Sequence, residues 1–283
     1  MSLPRAASPT ASPQAPLSSL PTGACDTHVH LIGDDYPLSE KRVEDPPSGT
    51  LDHWLTRYRA HLAHLGCTRG VIVHSILYGQ DNSVTMEAVR QMGAGFTGIG
   101  LVPDTATEAD LDRLVDAGLR GVRLNYVHGG VLSWDGAKRL APALAERGLH
   151  IEMLAHAHLH LAALAEDVRQ MPVQIVFDHC AWPDLSSGLG TGHAALCTLL
   201  AEEQAWVKLS APYRYDGTPA LIESLVAANP ARCLWGSDWP HLMLGGVPMP
   251  DAGALLNDFL TAVPDPAHRQ AIFVDNPSRL YRI

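Results

Sequence analysis

The sequence has few cysteines, and none is spaced for a disulfide framework or a zinc knuckle. There are five, an odd number, and no C-x-x-C pair occurs. Scattered thiols of this kind are typical of reduced cysteines in a cytoplasmic protein. We therefore expect a cytoplasmic chain without structural disulfides. The five residues are Cys25, Cys67, Cys180, Cys197 and Cys233.

Charge is also scarce, and positive charge is the scarcer of the two. Charged residues make up 18 % of the chain, against roughly 25 % in typical soluble domains. Lys and Arg number 20 and Asp and Glu 30, so the formal net charge is −10. Nucleic acids and anionic membranes bind surfaces with excess Lys and Arg. We therefore expect neither as a partner. No apolar run reaches the roughly 18 residues that indicate a membrane-spanning helix.

The first residues lack the continuous apolar core of a signal peptide. Residues 1–20 are instead rich in Ser, Pro and Ala, a composition typical of disorder. No internal repeat or shift in composition marks a second domain further along. We predict a disordered N-terminal tail over 1–21 and one domain over 22–283.

Within this domain, short apolar runs alternate with helical patterns. Eight runs rich in Val, Ile, Leu and Phe have the composition of parallel strands that are covered on both faces. Eight strands, each followed by a helix, predict a single (β/α)8 TIM barrel. The alternative is a doubly wound open sheet, but its G-x-G-x-x-G motif is missing after the first strand, and no G-x-x-x-x-G-K-[ST] occurs. The predicted strands are Ala24–Leu31, Arg69–Ser75, Phe96–Val102, Gly121–Tyr126, His150–Ala155, Val173–His179, Ala205–Ala211 and Cys233–Trp239.

Histidine is the residue type in excess, with 15 in the chain. His28 and His30 stand two apart at the end of the first strand, so their side chains share a face. His179 ends the apolar stripe of the sixth strand, and Asp238 ends that of the eighth. Active sites of these barrels lie at the C-terminal ends of the strands. The four side chains are therefore expected to meet at the mouth of the barrel.

The motifs around these residues resemble the amidohydrolase superfamily, in particular the branch that contains 2-pyrone-4,6-dicarboxylate lactonase. The resemblance covers about 22–283. One departure is the stretch 127–130, which lacks a basic residue that the branch carries there. The matching segments are Thr27–His30, Arg120–Asn125, Asp178–His179, Lys208–Ser210, Gly236–Pro240, Asn276–Pro277 and Leu280–Tyr281.

The resemblance implies a hydrolase that opens the ring of a small carboxylated lactone. Asp238 would be the general base that activates water, with a pKa raised by a partly dry pocket. The three histidines His28, His30 and His179 would polarise the lactone carbonyl and stabilise the oxyanion. Arg123 and Arg214 would hold substrate carboxylates, which the planar guanidinium fork matches. The partner implied is thus a small anionic molecule.

Three further residues are candidates for substrate binding. Ser75 and Tyr78 follow the second strand, and His156 follows the fifth. The remaining histidines of the helices and loops are expected at the surface. Those are His53, His61, His64, His158, His160, His193 and His268.

Several alternatives remain open. No cofactor is the favoured expectation, and a single Zn²⁺ held by His28, His30, His179 and Asp238 is the alternative. The same residues would serve a zinc-dependent decarboxylase or hydrolase, or a lactone isomerase in which a proton moves without addition of water. An alternative from another functional class is a barrel that binds a ligand without catalysing a reaction. The sequence also leaves open whether the chain forms a homo-oligomer.

Overall fold

The computed structural model describes residues 3–127 and 130–283 and confirms the (β/α)8 barrel. Its eight parallel strands pair in chain order from β1 to β8. The stretch after the fourth strand that lacks a basic residue includes 128 and 129, which lie outside the described residues. The strands are β1 Cys25–Val29, β2 Arg69–Val73, β3 Phe96–Gly100, β4 Leu119–Asn125, β5 His150–Leu154, β6 Ile175–Phe177, β7 Ala205–Leu209 and β8 Cys233–Trp235.

Helices connect the strands and cover the outside of the barrel. The main α-helices are α1 Leu51–Leu65, α2 Ser83–Met92, α3 Glu108–Asp116, α4 Trp134–Glu146, α5 Ala162–Gln170, α6 Thr191–Ala201, α7 Pro219–Ala228, α8 Ala252–Ala262, α9 Pro266–Gln270 and α10 Asn276–Tyr281. In the described part of the chain, no helix is long and apolar enough to cross a membrane.

Helix α1 shows how local sequence sets the elements. The Thr50 side chain accepts a hydrogen bond from the backbone N–H of His53, which satisfies one free donor of the first turn. Gly66 ends the helix at φ 86° and donates its N–H to the Leu62 carbonyl. Only glycine adopts this left-handed conformation without steric cost. The apolar face between these ends, which includes Trp54, is buried against the barrel.

All eight strands end one to four residues before their predicted ends, and in two of them the difference changes how a site residue is placed. The sixth was expected to run to His179 and the eighth to Trp239, but β6 stops at Phe177 and β8 at Trp235. His179 has φ 53° and Asp238 has φ 59°, and a strand cannot continue through a left-handed residue. Both side chains therefore reach the mouth of the barrel from turns, not from strand faces.

The first and last strands close the barrel through hydrogen bonds beyond their regular ends. Asp238 donates its backbone N–H to the His28 carbonyl at 2.9 Å, and His30 donates to Trp239 at 2.8 Å. Below them, the Asp26 carboxylate accepts from the Ser237 backbone N–H at 2.9 Å and from its hydroxyl at 2.6 Å. These bonds fix His28, His30 and Asp238 relative to one another.

The N-terminal segment lies along the barrel surface instead of forming the free tail expected from its composition. Gln14 donates its backbone N–H to Asp251 at 3.0 Å. Asn257 accepts from the Leu17 N–H at 2.7 Å and donates to the Ala15 carbonyl at 3.0 Å. Polar side chains on α8 and just before it thus pair with backbone groups of a segment that has no regular secondary structure. Composition alone cannot reveal such pairing, because it lies with distant residues.

We expect Asn257→Ala to loosen this segment. It removes two hydrogen bonds, each worth roughly 0.5–1.5 kcal/mol, so the free energy of unfolding in urea should fall by about 1–2 kcal/mol. Limited proteolysis should cut within 3–21 sooner than in the wild type. Asp258→Ala, at the exposed neighbouring position, is the control and should change neither measurement. Equal protease resistance of Asn257→Ala and the wild type would contradict the packing.

Candidate active site

Four side chains predicted to meet at the mouth of the barrel are brought together there. Asp238 Oδ1 lies 3.7 Å from His28 Nε2 and 3.5 Å from His30 Nε2. The ring of His179 lies beside that of His28, with 4.7 Å between their centroids. None of the four residues is more than 3 % exposed. The cluster is therefore shielded from bulk water, and its interactions are correspondingly strong.

The turn that carries His179 has an unusual backbone. Four successive residues other than glycine, from His179 to Trp182, have φ values of 53°, 52°, 57° and 37°. Each left-handed residue of this kind costs on the order of 1 kcal/mol. The packing around the turn has to offset that cost. Strained backbone of this kind is concentrated at functional sites.

Asp238 holds its two oxygens in different environments. Oδ2 accepts hydrogen bonds from Arg214 Nε at 3.0 Å and Nη2 at 2.9 Å, and from the Tyr213 hydroxyl at 2.5 Å. Oδ1 has no hydrogen-bond partner among the described residues, although it is fully buried. One oxygen is thus anchored and the other is free to react.

The charge state of Asp238 differs from the expectation. Burial is the largest single influence and raises the pKa of this carboxyl, but Arg214 and the three histidines together outweigh it and hold the pKa well below its usual range. The expected rise toward neutral pH is therefore wrong, because the ion pair with Arg214 was not foreseen. Asp238 is a carboxylate across the working range of most enzymes.

The histidine nitrogens are oriented by their outer partners. His30 Nδ1 lies 2.8 Å from the Val73 carbonyl oxygen, which can only accept, so Nδ1 carries the hydrogen. In the neutral ring, Nε2 then presents a lone pair toward Asp238.

His179 Nδ1 contacts the Ser210 hydroxyl at 2.9 Å, and burial lowers the pKa of His179 to about 4. His28, whose pKa burial also lowers, leaves Nε2 without a partner in the described chain.

This donor set fits a divalent cation. One atom each of His28, His30 and Asp238 lie within 4.8 Å of one another, and neither His28 Nε2 nor Asp238 Oδ1 has a hydrogen-bond partner among the described residues. Metal-binding histidines commonly donate their other ring N–H to a carbonyl, as His30 does. His179 belongs to a second such group, with His28 and Asp178. Three of the four expected ligands thus form one group, and His179 falls in a second group that shares His28 with the first and adds Asp178.

A layer of buried charge lies beneath the four residues. Lys208 Nζ is 2.5 Å from Glu152 and 3.3 Å from His28 Nδ1. Asp178 lies 3.2 Å from the same His28 nitrogen. Burial and the charge of Asp178 raise the pKa of Glu152 to about 8. This layer contacts His28 at Nδ1, the ring nitrogen that does not face Asp238, and thereby fixes the orientation of the ring. Sequence reasoning did not assemble it, although a lysine and a glutamate inside apolar strands are a signal for it.

Arg123 borders the cavity in front of the cluster. Its Nη1 donates to the His74 carbonyl at 3.0 Å, and Nη2 lies 3.9 Å from Asp178. Its Nε atom has no partner in the described part of the chain. The cavity measures about 70 Å³, well below the roughly 300–1,000 Å³ of typical ligand sites. Its walls are His30, Ile76, Arg123, Asn125, Leu154, His179, Trp182, Arg214, Asp238 and Met243.

Arg214 reaches this cavity, but its donors are already engaged. Besides Asp238, Nη2 donates to the Leu242 carbonyl at 2.9 Å and Nη1 to Met243 at 3.3 Å. The backbone N–H of Met243 in turn donates to Glu44 of the loop after β1 at 2.5 Å. Arg214 therefore positions Asp238 and the loop after β8, in addition to bordering the cavity.

Three residues expected to contact substrate do not border the cavity. The Ser75 hydroxyl accepts from the Leu77 N–H at 3.4 Å, within its own turn. The Tyr78 hydroxyl both donates to the Gly33 carbonyl at 3.0 Å and accepts from its N–H at 2.7 Å. His156 contacts the Trp182 carbonyl at 3.2 Å and borders a neighbouring cavity together with Trp182 and Arg214. Backbone groups take up the hydroxyls of Ser75 and Tyr78 in this structure, and substrate contact by the three residues stays a prediction.

Two histidines expected at the surface are buried. His61 lies 3.3 Å from the Ser237 hydroxyl and packs against Trp239. His193 contacts the Ser224 hydroxyl at 2.9 Å. Both belong to the apolar sides of their helices, where a histidine with a hydrogen-bond partner is tolerated.

Sequence reasoning also missed His241 and Tyr213. The Tyr213 hydroxyl links His241 Nδ1, at 3.3 Å, to Asp238. Burial lowers the pKa of His241 to about 4. Both residues lie in loops that follow strands, and their meeting depends on loop conformation, which residue spacing does not encode.

Comparison with known proteins places the chain in one group. The family model described as Amidohydrolase matches residues 25–283. The 2-pyrone-4,6-dicarboxylate hydrolase of Comamonas testosteroni is 31 % identical over 96 % of this chain and 94 % of its own. The 4-sulfomuconolactone hydrolase of Rhizobium radiobacter is 34 % identical over 95 % and 93 %.

A solved structure agrees with these relatives. A candidate 2-pyrone-4,6-dicarboxylic acid hydrolase from Pseudomonas putida superimposes with a TM-score of 0.78 at 27 % identity, over 93 % of this chain and 98 % of that one. The family model spans nearly the whole barrel, including all eight strands and the four clustered side chains. The chain therefore belongs to the amidohydrolase family.

Proposed function

We propose that this protein hydrolyses the ring ester of a small carboxylated lactone, of the 2-pyrone-4,6-dicarboxylate or sugar-acid type. The observation that carries the proposal is the unpartnered, buried Asp238 Oδ1, which faces histidine nitrogens at the edge of a cavity. A fixed carboxylate with one free oxygen is suited to accept a proton from water. The names of the relatives support the substrate class.

In the proposed reaction, Asp238 Oδ1 takes a proton from a water molecule as its oxygen attacks the lactone carbonyl carbon. His179 borders the cavity, and with Nδ1 accepting from the Ser210 hydroxyl its Nε2–H stabilises the negative charge that develops on the carbonyl oxygen. The bond from the carbonyl carbon to the ring oxygen then breaks. Asp238 returns its proton to the departing oxygen, which yields a hydroxy acid.

We also propose that His28, His30 and Asp238 hold one divalent cation. The unpartnered atoms His28 Nε2 and Asp238 Oδ1 support this alternative, because a cation held by the three residues would satisfy both of them. A bound cation would supply Lewis acidity toward a carbonyl and lower the pKa of water.

Arg123 is the proposed contact for a substrate carboxylate. It borders the cavity and its guanidinium is only partly engaged by protein groups. Arg214 gives its hydrogen bonds to Asp238 and to two carbonyls, so we assign it mainly to positioning the base. The two arginines should thus differ in their kinetic effects.

Asp238→Asn should lower kcat by about 10²–10⁴-fold, the usual contribution of a general base. Turnover of a panel of carboxylated lactones is followed by mass spectrometry, where hydrolysis adds one water and isomerisation leaves the mass unchanged. Circular dichroism checks that the variant folds, and Asp258→Asn at the exposed surface serves as the matched control. Near-normal turnover by Asp238→Asn would falsify the assignment, and a product of unchanged mass would favour the isomerase.

Metal content provides a separate test. The purified protein should contain about one divalent cation per chain by elemental analysis, and a chelator should remove it with a fall in melting temperature. His30→Ala should lower the stoichiometry, whereas His53→Ala, at an exposed position on α1, should not. Full activity in protein without metal would show that the metal-free expectation was the right one.

Arg123→Gln should raise KM for a carboxylated lactone by roughly 10-fold or more, since a charged hydrogen bond contributes about 1.5–3 kcal/mol. KM for an uncharged lactone should hardly change. Arg214→Gln should lower kcat for both substrates, because the Asp238 carboxylate loses its anchor. If Arg214→Gln instead raised KM for the charged lactone and not for the uncharged one, Arg214 would be the residue that binds the substrate carboxylate.

A further inference from the structure

A second cavity lies at the opposite end of the barrel from the candidate active site. It measures about 330 Å³ and is bordered by residues at the N-terminal ends of the last strands, among them His150 and Gln174, and by the C-terminal segment of the chain. In barrels of this fold, reactions take place at the other face. Any ligand here would thus bind away from the proposed chemistry.

Three arginines converge on this cavity in a chain whose net charge is −10. The guanidinium carbons of Arg232 and Arg279 lie 4.6 Å and 4.8 Å from the ring centroid of Trp206. The guanidinium of Arg282 lies against Gly148, where a Cβ atom would come within 2.6 Å of it. An aromatic ring and a glycine thus hold three cationic groups against the wall of the cavity.

The positive charge in the cavity is mostly uncompensated. Arg232 pairs with Glu203 at 2.8 Å. Among the described residues, Arg279 donates to neutral groups, the Ala231 carbonyl and the Asn276 side chain, and the charges of Glu203 and Asp275 act on it without a hydrogen bond. Arg282 has no ion pair within the described residues. No aspartate or glutamate is among the residues that border the cavity.

Repulsion between these cations is therefore part of the folded state. Burial and the charge of Arg232 both lower the pKa of Arg279. The ring of Tyr281, which follows the cavity-lining Leu280, contacts His150 at 5.3 Å between centroids. The His150 Nε2 atom is buried and has no hydrogen-bond partner in the part of the chain that is described. An anion would neutralise the cluster and satisfy its unused donors.

From this arrangement we propose that the cavity binds a small oxyanion that carries at least two negative charges, such as a phosphate compound or a polycarboxylate. Guanidinium groups match the oxygen geometry of both classes. Arg279 and Arg282 provide the unpaired charge, and Arg232 and Trp206 shape the wall between them. This proposal is independent of the proposed lactone hydrolysis, because it concerns binding at the other end of the barrel.

The test is calorimetric titration of the full-length protein with pyrophosphate and, separately, with citrate, with chloride as a monovalent reference. The two oxyanions distinguish a phosphate site from a polycarboxylate site. Arg279→Gln with Arg282→Gln should weaken binding at least 10-fold. Arg282→Gln alone, which removes no intramolecular hydrogen bond of the described chain, should weaken it measurably if the double variant fails to fold.

Two variants locate the site. Arg57→Gln removes an arginine that also stacks on a tryptophan, at 4.8 Å from Trp54, but far from this cavity, and it should bind as the wild type does. Asp238→Asn should also bind normally, since the catalytic mouth is not involved. The proposal is overturned if neither oxyanion binds more tightly than chloride, if Arg282→Gln binds as tightly as the wild type, or if Asp238→Asn abolishes binding.

Discussion

The hydrogen bonds that join the first strand to the last determine where the reactive groups stand. In an open eight-stranded sheet, β1 and β8 would be the two edge strands, far from each other. The residues that follow these two strands meet because the sheet closes into a barrel. The Asp26 carboxylate holds Ser237 through two hydrogen bonds, and the next residue, Asp238, donates to His28. The positions of Asp238, His28 and His30 therefore all depend on this one junction between β1 and β8.

Behind this junction the protein keeps ionisable groups where water does not reach. Lys208, Glu152 and Asp178 are completely buried, and removing one member of such a pair leaves an uncompensated charge that costs roughly 3–5 kcal/mol. Their arrangement is difficult to justify by stability alone, since apolar side chains of similar size pack at least as well. What the layer contributes is a fixed orientation for the His28 ring, whose Nδ1 faces it.

Much of the fold and part of the site could be predicted from the sequence, for reasons that differ between residues. Eight apolar runs separated by helical patterns define a barrel because each pattern is local, and His28 and His30 share a face because strands alternate. Asp238 and His179 also lie at the site, but their side chains reach it from left-handed turns. The argument from strand faces therefore predicted their position but not the backbone conformation that produces it. The hydroxyls of Ser75 and Tyr78 are taken up by backbone groups, and residue spacing could not reveal those bonds.

The hydrogen bond from Met243 to Glu44 joins the loop after the last strand, which borders the cavity through Met243, to the loop after the first. A space of about 70 Å³ holds a few water molecules, and a lactone with two carboxylates is larger than that. Under the proposed function, the bond between these loops would open before substrate enters and again before product leaves. Under the proposed function, turnover would respond to the viscosity of the solvent as well as to the chemistry at Asp238, since loop movement gates many enzymes of this kind.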